Sequence, residues 1–233
     1  MKIAVAQVTS CDDPNKNLRL VLDLMNQAQG ADMIFFPEVI NCVSLDRRHQ
    51  MDVLECGVDN SFVAAVRARA QRLGIWVSLG SVAVKTSDAD GRFANRSYVI
   101  SDTGQVVGIY DKIHMFDVTL SATEQYQESK WYRPGEKAVL VDTPWCPIGL
   151  SICYDLRFPH LYRTLAQVGA RILTVPSAFA VATGQAHWHS LLRARAIENG
   201  CYVIAAAQTG THAESNRNTF GHSLVVDPWG EIV

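Results

Sequence analysis

A cysteine lies where an apolar stretch of this chain turns polar, a placement suited to a reactive thiol. Apolar or small residues occupy positions 148–152, Cys153 follows them, and Tyr154 begins a polar run that ends at Pro159, a residue suited to the first position of a helix. A thiolate at a strand end that faces helix amides has a lowered pKa and is nucleophilic. Free cysteines are also among the residues most often buried for packing, so this segment alone leaves both interpretations open.

Two other apolar stretches each end in a charged side chain. Residues 31–37 lead to Glu38, and residues 106–111 lead to Lys112. Groups at the carboxyl ends of strands in an α/β sheet meet in one crevice, so we expect these two residues and Cys153 to converge. A glutamate, a lysine and a cysteine in one water-poor pocket suit acyl transfer, with a base, a nucleophile and an oxyanion donor. Taken singly, either charge is better explained as a solvated strand end.

Together, these segments resemble the nitrilase, or carbon–nitrogen hydrolase, superfamily. The resemblance is carried by Phe-Pro-Glu at 36–38, Asp-Lys-Ile-His at 111–114 and Ile-Cys-Tyr-Asp-Leu-Arg-Phe-Pro at 152–159, in the order that the superfamily shows, and it extends over residues 1–233. It implies a hydrolase of non-peptide carbon–nitrogen bonds, with Glu38 as general base, Lys112 as catalytic lysine and Cys153 as nucleophile.

The same resemblance implies two supporting roles. The backbone N–H of Tyr154 would donate to the oxyanion. Gln-Glu-Ser-Lys at 127–130 is similar to the segment that holds a second glutamate in the superfamily, so Glu128 would orient Lys112 and the substrate. The polar stretch 116–135 follows the lysine directly, and a long irregular segment there is expected to wall the pocket.

Three further residues are expected to contact the substrate. Arg157 follows the nucleophile by four positions, and its guanidinium group would bind a carboxylate through two hydrogen bonds, unless it forms a salt bridge with a neighbouring acid instead. Residues 177–184 resemble the loop that closes the pocket in the amidases of this superfamily, which implies that Phe179 and Thr183 touch substrate. Phe179 is equally explained as a core residue.

Several segments resemble particular amidases. Residues 183–188, 193–198, 201–208 and 221–229 are similar to amidases that hydrolyse deaminated glutathione. Residues 114–117 with 127–129 are closer to ω-amidases that act on α-ketoglutaramate. We favour the first because its matches are longer; the ω-amidase and an N-carbamoyl amino acid hydrolase are the alternatives.

Two readings from other classes stay open. One is a cysteine hydrolase with a histidine base, for which His160, His187 and His222 are available, although Ile152 and Tyr154 replace the glycines that a glutaminase elbow requires. The other is an impaired, non-catalytic interaction protein. This alternative is based on the end of the sequence at Val233, before the further strand and tail that the family usually has.

Composition describes an ordinary globular protein. The chain has 233 residues, 48% hydrophobic and 19% charged, with a net charge of −2. It has no basic field for nucleic acid, and its longest apolar run, 201–207, is too short to cross a membrane. Its six cysteines are scattered and its first residues suggest a strand rather than a signal peptide, so we expect free thiols and a cytoplasmic location.

No metal or organic cofactor is expected, and the only small-molecule partner is the amide substrate. The chain has seven histidines, but His187 and His189 are two positions apart on a predicted helix and face different directions, which makes a poor chelate. Lys112 supplies the positive charge that a zinc ion would otherwise provide. His114, next to that lysine, either helps to position it or is a neighbouring polar residue.

The elements that must position these residues alternate along the chain. Helical periodicity is present at 15–29, 61–73 and 187–199, each followed by a glycine, and these helices lie among nine apolar runs that predict strands. The alternation predicts an α/β fold. The predicted strands lie at about 2–8, 31–38, 74–84, 95–101, 106–112, 147–153, 170–176, 201–208 and 222–227.

The family resemblance makes this expectation more specific. It implies a four-layer α-β-β-α sandwich, formed by a single domain over 1–233. It also implies a homodimer that pairs through helices at about 159–168 and 185–199. Four leucines would supply the apolar faces for that pairing, unless they belong to the core of their own subunit: Leu161, Leu165, Leu191 and Leu192.

Overall fold

The computed structural model describes residues 1–57, 60–119 and 125–233. Within that part of the chain the α-helices are α1 Pro14–Gln27, α2 Arg47–Val53, α3 Ser61–Leu73, α4 Pro159–Gln167 and α5 Val181–Asn199. Short 3-10 turns cover Glu128–Lys130 and Cys153–Arg157. The strands are β1 Ile3–Val5, β2 Gln7–Val8, β3 Met33–Phe35, β4 Trp76–Ser78, β5 Val82–Val84, β6 Ala94–Ile100, β7 Val106–Asp111, β8 Asp117–Thr119, β9 Gln125–Gln127, β10 Leu140–Val141, β11 Ile148–Gly149, β12 Ile172–Thr174, β13 Tyr202–Ala205, β14 Ala207–His212, β15 Arg217–Phe220 and β16 Leu224–Val226.

Two larger sheets form the centre of the molecule. The first has the order β1-β3-β4-β6-β5, with β7 paired to the other side of β6, and its β1, β3 and β4 are parallel. The second has the order β10-β11-β12-β13-β16, with a parallel centre and antiparallel edges. Parallel strands joined by helices require both sheet faces to be covered, which explains why every residue of β3, β4 and β12 is buried.

The side chains of β3 show how the layers are stacked. Met33 and Phe35 lie in one buried cluster, together with residues of the second sheet such as Leu173. Ile34, between them in sequence, lies in a different cluster together with residues of α1 and α3 such as Val66. Because neighbouring strand residues point to opposite faces, the first sheet is covered by helices on one side and by the second sheet on the other.

The outer face of the second sheet is covered by α4 and α5. Leu161 and Leu165 of α4, with Leu192 of α5, lie in the same cluster as the strands of that sheet, and Leu191 packs against it. The four layers expected from the family resemblance are therefore confirmed. Leu161, Leu165 and Leu192 are buried in the core of their own chain, as the alternative had it, whereas Leu191 is only partly buried. The homodimer itself stays a prediction.

Local signals account for most helix ends. Asp13 caps the start of α1 by accepting hydrogen bonds from the N–H groups of residues 15 and 16, and α3 runs over the residues predicted for it, from its cap Asn60 to Gly74. α5 ends at Gly200 as predicted, but it begins at Val181 rather than at 187. Its first turn has no side-chain cap, so the sequence carries no start signal there.

Some elements were not predicted. α2 is a short helix capped by Asp46, and β14 and β15 form a hairpin over residues 207–220, of which only 207–208 were predicted as strand. The stretch 116–135 is not irregular throughout: it contains the β8–β9 hairpin and a 3-10 turn, while residues 120–124 lie outside the described part. Among the described helices, none is long and apolar enough to span a membrane.

Candidate active site

Glu38, Lys112 and Cys153 meet in one buried pocket between the two sheets. Glu38 follows β3, Lys112 follows β7, and Cys153 follows β11. The first two come from one sheet and Cys153 from the other, so the crevice lies between the sheets rather than at the edge of a single one. The exposed fractions are 4% for Glu38, 2% for Lys112 and 7% for Cys153, which places all three groups in a water-poor environment.

The ammonium group of Lys112 is held between two carboxylates. Its Nζ lies 2.9 Å from Oε1 of Glu38, and 3.0 and 2.8 Å from the two carboxylate oxygens of Glu128. Glu128 is fixed in turn by the backbone N–H of Phe116, which donates to its Oε2 over 2.7 Å. Glu128 therefore orients Lys112, and neither rotation of the lysine nor its deprotonation is favoured in this environment.

Asn95, in β6, is a member of this cluster that the sequence did not suggest. Its Nδ2 donates to Oε1 of Glu38 over 2.9 Å and to Oε1 of Glu128 over 3.3 Å, and its carbonyl accepts from the N–H of Lys112. Its own Oδ1 is buried without a partner among the described residues. Asn95 thus holds both carboxylates on the lysine. The sequence carries no signal for it, because Arg96 and Ser97 follow it in the same strand and Asn95 does not stand out.

The backbone is strained beside both reactive groups. Cys153 has a φ of 49° and Val39, directly after Glu38, has a φ of 47°. Residues with a side chain avoid this region, and strained residues of this kind cost about 1–3 kcal/mol each and cluster at functional sites. Hydrogen bonds hold both turns: the N–H of Cys153 donates to the carbonyl of Pro176, and the N–H of Val39 donates to Oγ of Ser81.

The thiol of Cys153 is not a pre-formed thiolate. Burial raises its pKa above the ordinary value, and the charge of Glu38 raises it further, whereas Lys112 and the N–H of Ala178 lower it by less. The expectation of a lowered thiol pKa is therefore wrong. The five-residue turn that starts at Cys153 has few amides to offer, and desolvation outweighs them. The thiol must lose its proton to a base during the reaction.

Glu38 is placed to be that base. Burial alone would raise its pKa, but the charge of Lys112 and hydrogen bonds from Lys112 and the Cys153 thiol outweigh this, so the pKa of Glu38 lies below its usual value. Burial would lower the pKa of Lys112, and the charges of Glu128 and Glu38 raise it well above its usual value instead. At neutral pH the carboxylate is ionised and the lysine is charged.

Asp155 fixes the turn that follows the cysteine. Its fully buried carboxylate accepts from the N–H of Ile152 over 2.8 Å, the hydroxyl of Tyr110 over 2.6 Å and the N–H of His114 over 3.0 Å. The His114 ring contacts Asp155 as well and stacks on Phe158, so it does not position Lys112 as one expectation had it. The N–H of Tyr154 makes no hydrogen bond to the described residues, which leaves it available to an oxyanion.

The pocket has a volume of about 420 Å³ and reaches the three residues expected to bind substrate. Phe179 is buried against Trp188, with ring centres 4.8 Å apart, and Thr183 lies in the first turn of α5; both line the cavity. The stretch after Lys112 also contributes, with Phe116 and residues 125–128 and 130–132 in the wall.

Arg157 lies beside the pocket without an acidic partner in the described residues. Its Nη2 lies 3.2 Å from Nδ1 of His187, and its guanidinium carbon lies 5.8 Å from the ring centres of Tyr154 and Phe179. The alternative of a salt bridge to a neighbouring acid is thus not seen. The guanidinium group is available to a carboxylate.

The histidines offer neither a metal site nor a base for the cysteine. No group of three or more His, Cys, Asp or Glu side chains in the described ranges is arranged to bind a metal. His160, His187 and His222 do not line the pocket that contains Cys153. All six cysteines are free thiols.

Comparison with known proteins agrees with this geometry. The family model described as carbon-nitrogen hydrolase matches residues 2–233. The chain belongs to the carbon–nitrogen hydrolase family. It is thus a hydrolase domain of the class that acts on carbon–nitrogen bonds other than peptide bonds, and the resemblance to the nitrilase superfamily is confirmed.

Three relatives place the chain within the carbon–nitrogen hydrolases. The nitrilase and fragile histidine triad fusion protein NitFhit of Caenorhabditis elegans is 41% identical over 234 residues, which are 99% of this chain and 53% of that protein. Its crystal structure has a TM-score of 0.92 at 40% identity, covering 99% of this chain and 56% of that one. This chain therefore spans about half the length of the fusion protein.

The other two relatives are amidases. A deaminated glutathione amidase of Rattus norvegicus is 41% identical over 236 residues, covering 99% of this chain and 72% of that protein. An amidase of Nesterenkonia sp. AN1 is 25% identical with a TM-score of 0.83, covering 100% of this chain and 87% of that one. A variant of that amidase carries acrylamide added to its active-site cysteine.

Proposed function

We propose that the chain is a cysteine-dependent amidase that forms a thioester with the acyl part of its substrate. The observation that supports this most is the buried triad, in which Glu38, Lys112 and Cys153 line one cavity and the Glu38 carboxylate holds Lys112 at 2.9 Å. A thiol with a raised pKa, a carboxylate with a lowered pKa and a fixed ammonium group form a nucleophile, a base and an oxyanion donor.

Acylation follows from these positions. Glu38 takes the thiol proton while the sulfur attacks the amide carbon, so that a C–S bond forms and the carbonyl π electrons move to oxygen. Lys112 and the free N–H of Tyr154 stabilise that oxyanion. When the carbonyl re-forms, the C–N bond breaks and Glu38 returns its proton to the departing nitrogen, which leaves as an amine or as ammonia.

Deacylation repeats these steps with water. Glu38 removes a proton from a water molecule that attacks the thioester carbon, and the second tetrahedral intermediate is stabilised by the same donors. Its collapse breaks the C–S bond and returns a proton to the sulfur, giving the carboxylic acid and the free Cys153 thiol. Glu128 and Asn95 take no proton in this sequence; they keep Lys112 and Glu38 in place.

The substrate is a small keto-acid amide that carries carboxylate, and deaminated glutathione is our first choice. Arg157 supports this, because a guanidinium group without an acidic partner in the described residues lies at the wall of the pocket. The relatives named deaminated glutathione amidase, 41% identical in the rat protein, support the same substrate. α-Ketoglutaramate, which has one carboxylate fewer, is the second candidate.

The nucleophile is tested by replacing Cys153 with alanine. The Cys153→Ala variant should keep the circular dichroism spectrum and unfolding transition of the parent but lose turnover. Mass spectrometry of the parent, quenched during turnover, should find the acyl group on the peptide that contains Cys153. Acylation of Cys42 or Cys201 instead, or turnover by the alanine variant, would contradict the assignment.

The substrate is tested with a panel. Deaminated glutathione, α-ketoglutaramate and an N-carbamoyl amino acid are compared by kcat/KM, with a neutral aliphatic amide as reference. We expect deaminated glutathione to give the highest value. A preference for the neutral amide would rule out the keto-acid amidase function altogether, and absence of turnover on every compound would favour the non-catalytic alternative.

A further inference from the structure

The described lining of the pocket contains more positive charge than its catalytic groups require. Its acidic side chains among the described residues are Glu38 and Glu128, and both are bound to Lys112. Three further basic residues line the same cavity, and none of them forms an ion pair with a described residue. These are Lys130, Arg157 and Arg217. A cavity of this charge is suited to an anionic ligand that carries more than one negative group.

Arg217, the first residue of β15, is the most constrained of the three. Its Nη2 donates to the carbonyl of Ala178 over 2.6 Å, which fixes the plane of the guanidinium group. Its Nε is buried and has no partner among the described residues, and its Nη1 donates to no described atom. Leaving a buried donor unpaired costs about 1–3 kcal/mol of stability. We therefore expect the Nε of Arg217, in the pocket wall, to donate to an acceptor on the ligand.

Arg157 and Arg217 each lie against a ring of one aromatic wall. The rings of Tyr154, Phe116 and Tyr126 follow one another, with centre distances of 5.1 Å and 4.9 Å. The guanidinium carbon of Arg157 is 5.8 Å from the Tyr154 ring, and that of Arg217 is 5.8 Å from the Tyr126 ring. Each guanidinium group thus lies against a different ring of the wall, and together they offer two cationic groups that can bind two carboxylates.

Arg217 is on the side of the general base. It binds the carbonyl of Ala178, whose N–H donates to Oε2 of Glu38 over 2.9 Å. Burial raises the pKa of Glu38, whereas Lys112 and the Cys153 thiol lower it, and the charge of Arg217 lowers it further. Since Glu38 returns its proton to the departing nitrogen, the amine part of the substrate leaves past Arg217.

We propose that Arg217 binds a second substrate carboxylate, carried by the amine part, while Arg157 binds the carboxylate of the acyl part. The preferred substrates are then secondary amides with one carboxylate on each side of the scissile bond. This rests on the proposed amidase function and deepens it, since it names the residue that separates dicarboxylate from monocarboxylate substrates. A guanidinium group held in one plane suits a carboxylate, which it binds through two parallel hydrogen bonds.

The test compares two substrates in two variants. Deaminated glutathione has a carboxylate on both sides of its amide, and α-ketoglutaramate has one on the acyl side only. Arg217→Gln should lower the ratio of kcat/KM for the first over the second by about tenfold or more, because a charged hydrogen bond is lost for one substrate only. Arg217→Lys should lower the ratio less, since lysine keeps the positive charge but cannot donate the two parallel hydrogen bonds of a guanidinium group.

Two features of this test separate binding from general damage. Arg217 also supports Ala178, so Arg217→Gln is expected to slow both substrates to some extent, and only the ratio reports on the second carboxylate. Arg193→Gln removes a cation from the exposed face of α5 and should leave the ratio as it is in the parent. A ratio in Arg217→Gln equal to that of the parent would overturn the proposal.

A binding measurement makes the proposal independent of turnover. Calorimetry on the Cys153→Ala protein, with and without Arg217→Gln, gives the Kd of each intact compound. We expect Arg217→Gln to weaken deaminated glutathione about tenfold and α-ketoglutaramate much less. If the parent turns over neither compound but this difference in Kd is found, the proposed function fails and the subsite stands. Equal weakening of both compounds, or no binding of the dicarboxylate, would overturn the subsite.

Discussion

At the scale of single residues, Glu38 has two opposite effects on the cysteine. Its negative charge adds to the effect of burial and raises the pKa of the Cys153 thiol, yet its carboxylate is the acceptor for the thiol proton. Glu38 therefore supports turnover, but it disfavours the thiolate form of Cys153 in the resting protein. A substitution that removes the charge but keeps the shape separates the two effects.

We predict that Glu38→Gln lowers the pKa of the Cys153 thiol while it lowers turnover by about a hundredfold or more, the range of a lost general base. The pKa falls because one raising cause is removed while Lys112 stays. It is measured as the midpoint of the pH dependence of iodoacetamide labelling, followed on the Cys153 peptide by mass spectrometry. Cys42, buried with a pKa of about 12, is the internal control. An unchanged midpoint with undiminished turnover would contradict both effects.

At the scale of elements, the position of Glu38 depends on a glycine in the link between β4 and β5. Gly80 has a φ of 65°, and a Cβ at this position would overlap the carbonyl oxygens of Phe36 and Pro37. The next residue, Ser81, accepts the N–H of Val39 through its Oγ over 2.8 Å. The β4–β5 link therefore fixes the backbone on both sides of the general base.

Gly80→Ala should accordingly lower both stability and kcat. The positive φ alone costs about 1–2 kcal/mol with a side chain present, and the overlap must in addition displace the turn that carries Glu38. Gly91→Ala is the matched control, because Gly91 has a φ of 66° and nothing within 4 Å of its Cβ position. Urea unfolding and kcat are measured for both. Equal losses in the two variants would show that backbone strain, not displacement of Glu38, is the whole effect.

At the scale of the whole molecule, the buried triad links global stability to pH. The pKa of Glu38 is lowered from 4.5, so its contribution is present above that value and is lost as pH falls through the folded pKa. The pKa of Lys112 is raised from 10.5, so its contribution is present below that value and is lost as pH rises through the folded pKa. Between these limits the ion pair of Glu38 and Lys112 stabilises the fold fully.

Lys112→Met should reverse this dependence. Without the ammonium group, burial raises the pKa of Glu38 above its unfolded value, and the variant loses about 3–5 kcal/mol at neutral pH, as expected for a broken buried pair. It then regains stability as pH falls towards 4.5, whereas the parent does not. Urea unfolding between pH 5 and 8 measures the two slopes. Lys130→Met, at an exposed pocket residue, is the control; a variant slope equal to that of the parent would contradict this interpretation.

Much of the fold was determined by short-range signals in the sequence. The extent of α3, the Pro14 start of α1 and the Gly200 end of α5 follow from caps and periodicity, which act over a few neighbouring residues. The three strand ends that carry Glu38, Lys112 and Cys153 were visible for the same reason, because an apolar run stops at a reactive side chain. Their roles remain predictions.

Only the tertiary structure decided the environment of those residues. Asn95 reaches Glu38 over 57 positions of sequence and Ala178 reaches it over 140, so no local pattern could indicate either contact. The raised pKa of the Cys153 thiol comes from burial between two sheets, and a sequence gives the residue type but not its desolvation. The unpaired Nε of Arg217 is likewise a property of packing, because it depends on which acceptors the fold leaves out of reach.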